Sequence, residues 1–323
     1  MSSSETAAPA DRVAFHRLLR EAPRFRWWRP LALIALTGIY ALSLSALVQT
    51  LLTPLLAATG SGTPAAVAAR LAGPDTQDPV AILVTLASLA SWLLAVPAAM
   101  WSVGISPLGR ITSVALRPRW GLLLRCLVPA AVVLAAIEAV SLGVSVWGTP
   151  GAELGRPAGF DAGLALWSVL IVVLLVPLQA AGEEVVFRGV LLQSLGAWIK
   201  NPIIPIVVPT LIFASLHVYD RWGLAQVAVL GVLSGWLAWR TGGLEAAISL
   251  HVINNLAVYL LLASGITGVT AQTAGAAGPL SLVVTTIGLL GYTWAAVAIF
   301  DRGGWARWSG ATVASPPERK PAR

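Results

Sequence analysis

Residues 163–189 read GLALWSVLIVVLLVPLQAAGEEVVFRG: twenty residues without a charge, then two adjacent glutamates and, four positions after the second, an arginine. A helix of about 20 apolar residues rises about 30 Å, which is the thickness of the hydrocarbon layer of a bilayer. The stretch is therefore a membrane span whose charged continuation, 183–197, is still helical in pattern. Outward from it, further apolar runs fall at 31–57, 79–101, 121–147, 202–219, 223–240, 243–263 and 278–300, of which 202–219 and 223–240 are short. Together they predict about eight transmembrane helices in an all-α, polytopic membrane bundle. Composition agrees, with 57% apolar residues, 11% charged and a mean hydropathy of +0.80. These values exclude an ordinary soluble domain. The 30 Gly and 21 Pro are scattered, which excludes collagen and low-complexity disorder, and the single Cys126 cannot form an internal disulfide.

A net charge of +7 invites a nucleic-acid reading, but on a polytopic membrane protein it has a simpler use in orientation and in contact with anionic lipid. No nucleic-acid partner is expected. With the N-terminus inside, 18 of the 21 Lys and Arg fall on the cytoplasmic side, Arg188 among them, and Arg70, Arg156 and Arg221 outside. That split predicts both termini in the cytoplasm. Trp27, Trp28, Trp101, Trp120, Trp147, Trp198 and Trp222 fall near span ends, where interfacial anchors belong. The organisation expected is a basic tail at 1–30, three spans over 31–150, a polar-bearing group of spans over 160–265, a last span at 278–300 and a disordered tail at 301–323. Within the first tail, residues 1–10 read as disordered. Ala14 to Trp28 reads either as a basic amphipathic helix on the inner leaflet or as a charged tail that only fixes topology. No cleavable signal peptide is expected, because the first apolar run starts after residue 30.

Ionisable side chains inside spans cost about 2.5 to 3.5 kcal/mol each on insertion, so each needs a reason. Glu183, Glu184, Arg188, His217, His251, Asn254 and Asn255 gather in spans four, five and seven. Glu184 and Arg188 lie one turn apart on one face, which suits an ion pair, while Glu183 points about 100° away. Phe213 shares a face with His217, and His251 with Asn255. If spans four and five form a hairpin near residue 200, Glu183 and His217 fall at matched depth, where a carboxylate and an imidazole can hold one water. Structural readings compete: the Glu184–Arg188 pair as a helix lock, a lone histidine as a helix–helix hydrogen bond, Asn254 and Glu138 as packing, Gly182 and Gly189 as sites of close helix approach.

E-E-x-x-x-R (Glu183, Glu184, Arg188), F-x-x-x-H (Phe213, His217) and H-x-x-x-N (His251, Asn255), in this order on successive hydrophobic helices, resemble the CPBP family of intramembrane proteases. That family includes the type II CAAX prenyl endopeptidases and the bacteriocin-processing and self-immunity proteins. The resemblance spans roughly residues 160–265. It implies an intramembrane endopeptidase in which Glu183 activates a water, His217 positions it, His251 and Asn255 stabilise the oxyanion, and Glu184, Arg188 and Phe213 support the site. It also carries a second account, in which Glu183, His217 and His251 hold a zinc ion. The favoured expectation is no cofactor, with zinc as the alternative. Other uses of the same residues are a catalytically silent membrane partner or immunity protein, and a proton-coupled transporter. Nineteen Arg against two Lys suit a GC-rich bacterium, so the expected location is the bacterial cytoplasmic membrane. The expected substrate is then a membrane-associated bacterial protein or peptide rather than a prenylated CAAX protein.

Overall fold

The computed structural model describes residues 12–23, 25–60, 62–148, 154–272 and 278–309. Residues 1–10 and 310–323, Arg24 and the Trp147 side chain, on which some of the expectations above fall, lie outside the described residues. The chain is helical: α1 Arg29–Ala58, α2 Pro64–Ala72, α3 Pro79–Ala90, α4 Trp92–Ser102, α5 Trp120–Gly148, α6 Ala162–Glu184, α7 Leu192–Trp198, α8 Ile203–Ser215, α9 Arg221–Thr241, α10 Glu245–Ser264 and α11 Pro279–Arg302. Between α6 and α7 the helix continues as a π-helical segment, Val185–Leu191, so Ala162–Trp198 is a single run of 37 residues. Proline or an oxygen-bearing side chain starts several helices. Asp78, Asp161 and Asp220 accept from the first-turn N–H groups of α3, α6 and α9.

Seven apolar helical runs among the described residues are long enough to cross a membrane, so this is a multi-pass membrane protein. Their outward faces carry Leu42, Leu51, Leu174 and Trp294, all exposed, as lipid contact requires. The fifth of the eight expected spans is corrected. Over 202–219 only Ile203–Ser215 is helical, 13 residues that rise about 20 Å and fall short of the hydrocarbon thickness. The chain turns at Leu216–Tyr219, and Asp220 starts the next helix by accepting from the N–H groups of Trp222 and Gly223 at 3.0 and 2.8 Å.

The N-terminal segment differs from the interfacial helix too. Val13–Ala14 forms a short strand (β1) that pairs antiparallel with Trp308–Ser309 (β2), and Phe15–Arg17 is one 3-10 turn. Phe15 and Leu18 are buried against Leu192, Ile206, Ala238 and Leu244, so the apolar face expected to enter lipid is covered by the protein itself. Because β1 precedes α1 and β2 follows α11, the chain enters and leaves the bundle at one end. At that end Arg119 closes the loop before α5 with a buried pair to Glu245, 3.0 Å at Oε1 and 2.6 Å at Oε2, and also donates to the carbonyls of Thr241 and Ala306. At the opposite end Arg70 binds Asp78, and the segment 266–271 lies against residues 75–76 and Gly155.

α6 packs against α3 and α10, and α10 also packs on α5 and α9. Two of the helices that carry the polar motifs, α6 and α10, thus pack directly on each other.

Candidate active site

Glu184 is fully buried, and Arg188 and His251 nearly so. The Arg188 guanidinium donates from Nη1 to Glu184 Oε1 at 2.8 Å, and its Nη2 reaches the Gly231 carbonyl at 3.3 Å. The same guanidinium stacks 4.7 Å from the centroid of the Phe213 ring, and Phe213 meets the rings of Phe187, His217 and His251 edge-on. Glu184 Oε1 also accepts from His251 Nδ1 at 2.9 Å. His251 then turns Nε2 toward Glu183 Oε2, 3.5 Å away. The row Arg188, Glu184, His251, Glu183 ties the π-helical segment, the end of α6 and the middle of α10 into one unit.

The π-helical geometry falls on the charged motif itself, where such widened turns are often found at functional sites. Gly189 sits inside it. A Cβ there would run into the Ile111 side chain and lie 3.3 Å from the Ile111 carbonyl, so glycine is what lets this segment press against the loop after α4.

His217 is placed by the turn that ends α8. Its Nδ1 lies 2.9 Å from the Phe213 carbonyl, which can only accept, so Nδ1 carries the hydrogen and Nε2 is left free. Asn255 donates to Gln179 Oε1 at 3.0 Å and accepts from Asn254 at 3.2 Å. Two cavities, of about 480 and 330 Å³, meet at this point. Phe213, His217, Tyr219, His251, Asn255 and Gln272 line both, while Glu183 and Gln179 line the smaller and Glu138, Gln226 and Asn254 the larger.

The expected residues are therefore brought together, with three differences. Glu183 makes its close contact with His251 and lies beyond ion-pair distance of His217, with which it shares the smaller cavity. Asn254 and Glu138, read as packing, stand on the wall of the larger cavity. Arg188, counted among the cytoplasmic charges, is deep in the bundle. The short α8 explains why His217, only three residues before Asp220, is inside the site rather than at an outer surface. Tyr219 donates to Gln272 at 3.3 Å, which folds the segment after α10 over that turn. Gln179, Tyr219 and Gln272 were not singled out from sequence. Gln179 was open to reading, being the polar residue four before Glu183 and so on the same face.

A zinc site needs at least three converging donors. Among the described residues no three His, Cys, Asp or Glu side chains converge in this way. His251 Nδ1 is bonded to Glu184 and His217 Nδ1 to the Phe213 carbonyl, so both rings keep Nε2, the nitrogen that a zinc ion would take, and of the two only His251 has its Nε2 close to Glu183.

Residues 164–257, which hold every motif position, match the family model described as Rce1-like, type II CAAX prenyl endopeptidase Rce1-like. Over 104 residues the chain is 29% identical to an uncharacterized protein of Bacillus subtilis (strain 168), YyaK. That alignment covers 30% of this chain and 35% of the relative, so it spans about a third of each. No solved structure matches. The matching segment is thus similar to a family of membrane peptidases, and it coincides with the helices that build the site.

Proposed function

We propose that the protein is an intramembrane endopeptidase that hydrolyses a peptide bond in a membrane-associated protein or peptide, with Glu183 as the base that activates water. The row Arg188, Glu184, His251, Glu183 carries this reading. A carboxylate paired with an arginine can only accept, so His251 holds its hydrogen at Nδ1 and aims Nε2 at Glu183. With a second proton at Nε2 the imidazolium donates toward the cavity, and the Glu184 carboxylate steadies that charge.

In the reaction that follows, a water in the smaller cavity donates one hydrogen to His217 Nε2 and the other to Glu183. Glu183 takes its proton as the water oxygen attacks the carbonyl carbon of the substrate. His251 Nε2–H and the Asn255 amide, already oriented by Gln179, donate to the oxyanion. The C–N bond then breaks, and the proton held on Glu183 passes to the departing amine. No step requires a metal ion. The reading also places the protein in a bacterial cytoplasmic membrane with the end that carries β1 and β2 inside, where the basic end of the bundle meets anionic lipid. The distribution of Arg and the Bacillus relative support that placement.

The test is cleavage of a library of membrane-proximal peptides by the purified full-length protein in detergent, read by mass spectrometry beside metal content. Glu183→Gln is nearly isosteric and cannot take the proton, so it is expected to fold and to lose all but a few per cent of activity. Larger retained activity overturns the assignment of Glu183. One equivalent of zinc that is lost in His217→Ala and His251→Ala, with chelator-sensitive activity that zinc restores, overturns the metal-free mechanism.

A further inference from the structure

Glu138 stands in the membrane-spanning part of α5 and lines the larger cavity together with Gln226 of α9, Thr285 of α11 and His251 and Asn255 of α10. The other acidic side chains of the helices are partnered: Glu183 and Glu184 with His251, Glu245 with Arg119, Asp301 with Arg240. Glu138 has no hydrogen-bond or ion-pair partner among the described residues, and the walls of its cavity contain no Lys or Arg. An ionisable group at membrane depth needs a counterpart. Here the counterpart is left to whatever enters the cavity.

Its position along the cavity follows from helix register. α5 and α10 run side by side, with Arg119 bonded to Glu245 and the Leu123 carbonyl accepting from Ser249. From that pair Glu138 is fifteen residues further along α5 and His251 two further along α10, so their levels differ by about 20 Å at 1.5 Å per residue. An extended peptide advances about 3.3 Å per residue, so about six residues bridge the gap. The wall between is mostly apolar, with Leu134, Val258, Leu262 and Leu289.

We infer that Glu138 is a recognition residue that takes a cationic group of the substrate, the side chain of a lysine or arginine or a free amino terminus, about six residues from the bond that is cut. The inference rests on the peptidase reading of the adjoining site. It gives that site a substrate class: an apolar membrane-associated peptide with one positive charge at a fixed distance from the cleavage point.

The experiment uses full-length protein in detergent and a fluorescent Leu/Ala-rich membrane peptide, acetylated, carrying a single lysine walked along its length, beside the same peptides with glutamine. A third set has no lysine and a free amino terminus, which separates a side-chain cation from a terminal one. Wild type is expected to prefer a cationic peptide over its neutral counterpart by at least tenfold in kcat/KM. Glu138→Gln is expected to bring that ratio to within twofold, and Glu138→Lys to prefer the matching aspartate peptide. The same ratios are read as binding in a Glu183→Gln background, without turnover. No preference in wild type, or an unchanged preference in Glu138→Gln, overturns the inference. Cleavage without preference does so and leaves the peptidase reading supported, whereas Glu138-dependent binding with cleavage of neither peptide supports the cation site and overturns the peptidase reading.

Discussion

His251 is the residue on which the site turns, because its two nitrogens face two carboxylates of different standing. Glu184 is fixed by Arg188 in the dry interior, whereas Glu183 borders a cavity. Breaking the first of these pairs leaves a buried carboxylate uncompensated. Arg188→Ala is therefore expected to destabilise the protein by about 3–5 kcal/mol, seen as a large drop in melting temperature and in yield. A variant of unchanged stability without activity would place Arg188 in contact with substrate instead. Asn255 is held by Gln179 rather than by charge, so Asn255→Ala is expected to cost about 10²–10³ in turnover with little change in KM. A loss confined to KM would remove it from the oxyanion. The spacing of Glu184 and Arg188 made their pair legible in the sequence, since i,i+4 neighbours face each other on any helix. That His251 would meet both carboxylates, one at each ring nitrogen, was not legible, because that depends on how far α10 is rotated against α6.

Among the elements, those with unusual geometry were hardest to read. The span expected at 202–219 contains Leu216 and Val218, which raise its hydropathy but face outward from a turn. Hydropathy does not record where a helix stops. The Asp220 cap did carry the stop signal, three residues past His217. The π-helical segment left no trace in composition, and the close approach of Ile111 and Leu244 to its Gly189 is a tertiary contact that no local pattern records. The neighbouring element offers a direct test. At Gly196, in α7, a Cβ would be driven into the carbonyl of His16, a backbone atom that cannot swing aside. Gly196→Ala is expected to undock the N-terminal turn at a cost of about 1–3 kcal/mol, with faster hydrogen exchange in residues 13–22 than in wild type. An unchanged exchange pattern would mean that the turn is held by contacts other than α7.

For the molecule as a whole, the pairing of β1 with β2 joins residues 13–14 to 308–309 at one end of the bundle, and it is consistent with the even number of passes that the charge distribution implied, with α8 as the short one. The places of the seven long spans were legible because a bilayer demands about 20 apolar residues whatever the fold, whereas the eighth expected span shrank to the short α8. That the N-terminal segment folds against the bundle was not, since Phe15, Leu18 and Leu19 suit a lipid surface as well as a protein groove. His16 distinguishes the two, because a side chain left in an aqueous interface would titrate normally, whereas here the ring is buried and bonded 2.9 Å from the Lys200 carbonyl. Burial holds its pKa below the usual 6.5. The Lys200 carbonyl opposes this, and Arg17 adds to the lowering. A histidine depressed in the folded state takes up protons more readily when unfolded, so its contribution is fully present above pH 6.5 and is lost as pH falls below that value. The protein is therefore expected to melt at a lower temperature at pH 5.5 than at pH 7.5. His16→Gln keeps a donor for the Lys200 carbonyl without titrating, and it should narrow that difference, with contributions from other groups common to both proteins. An equal pH dependence in the two would show that His16 is not held against the Lys200 carbonyl.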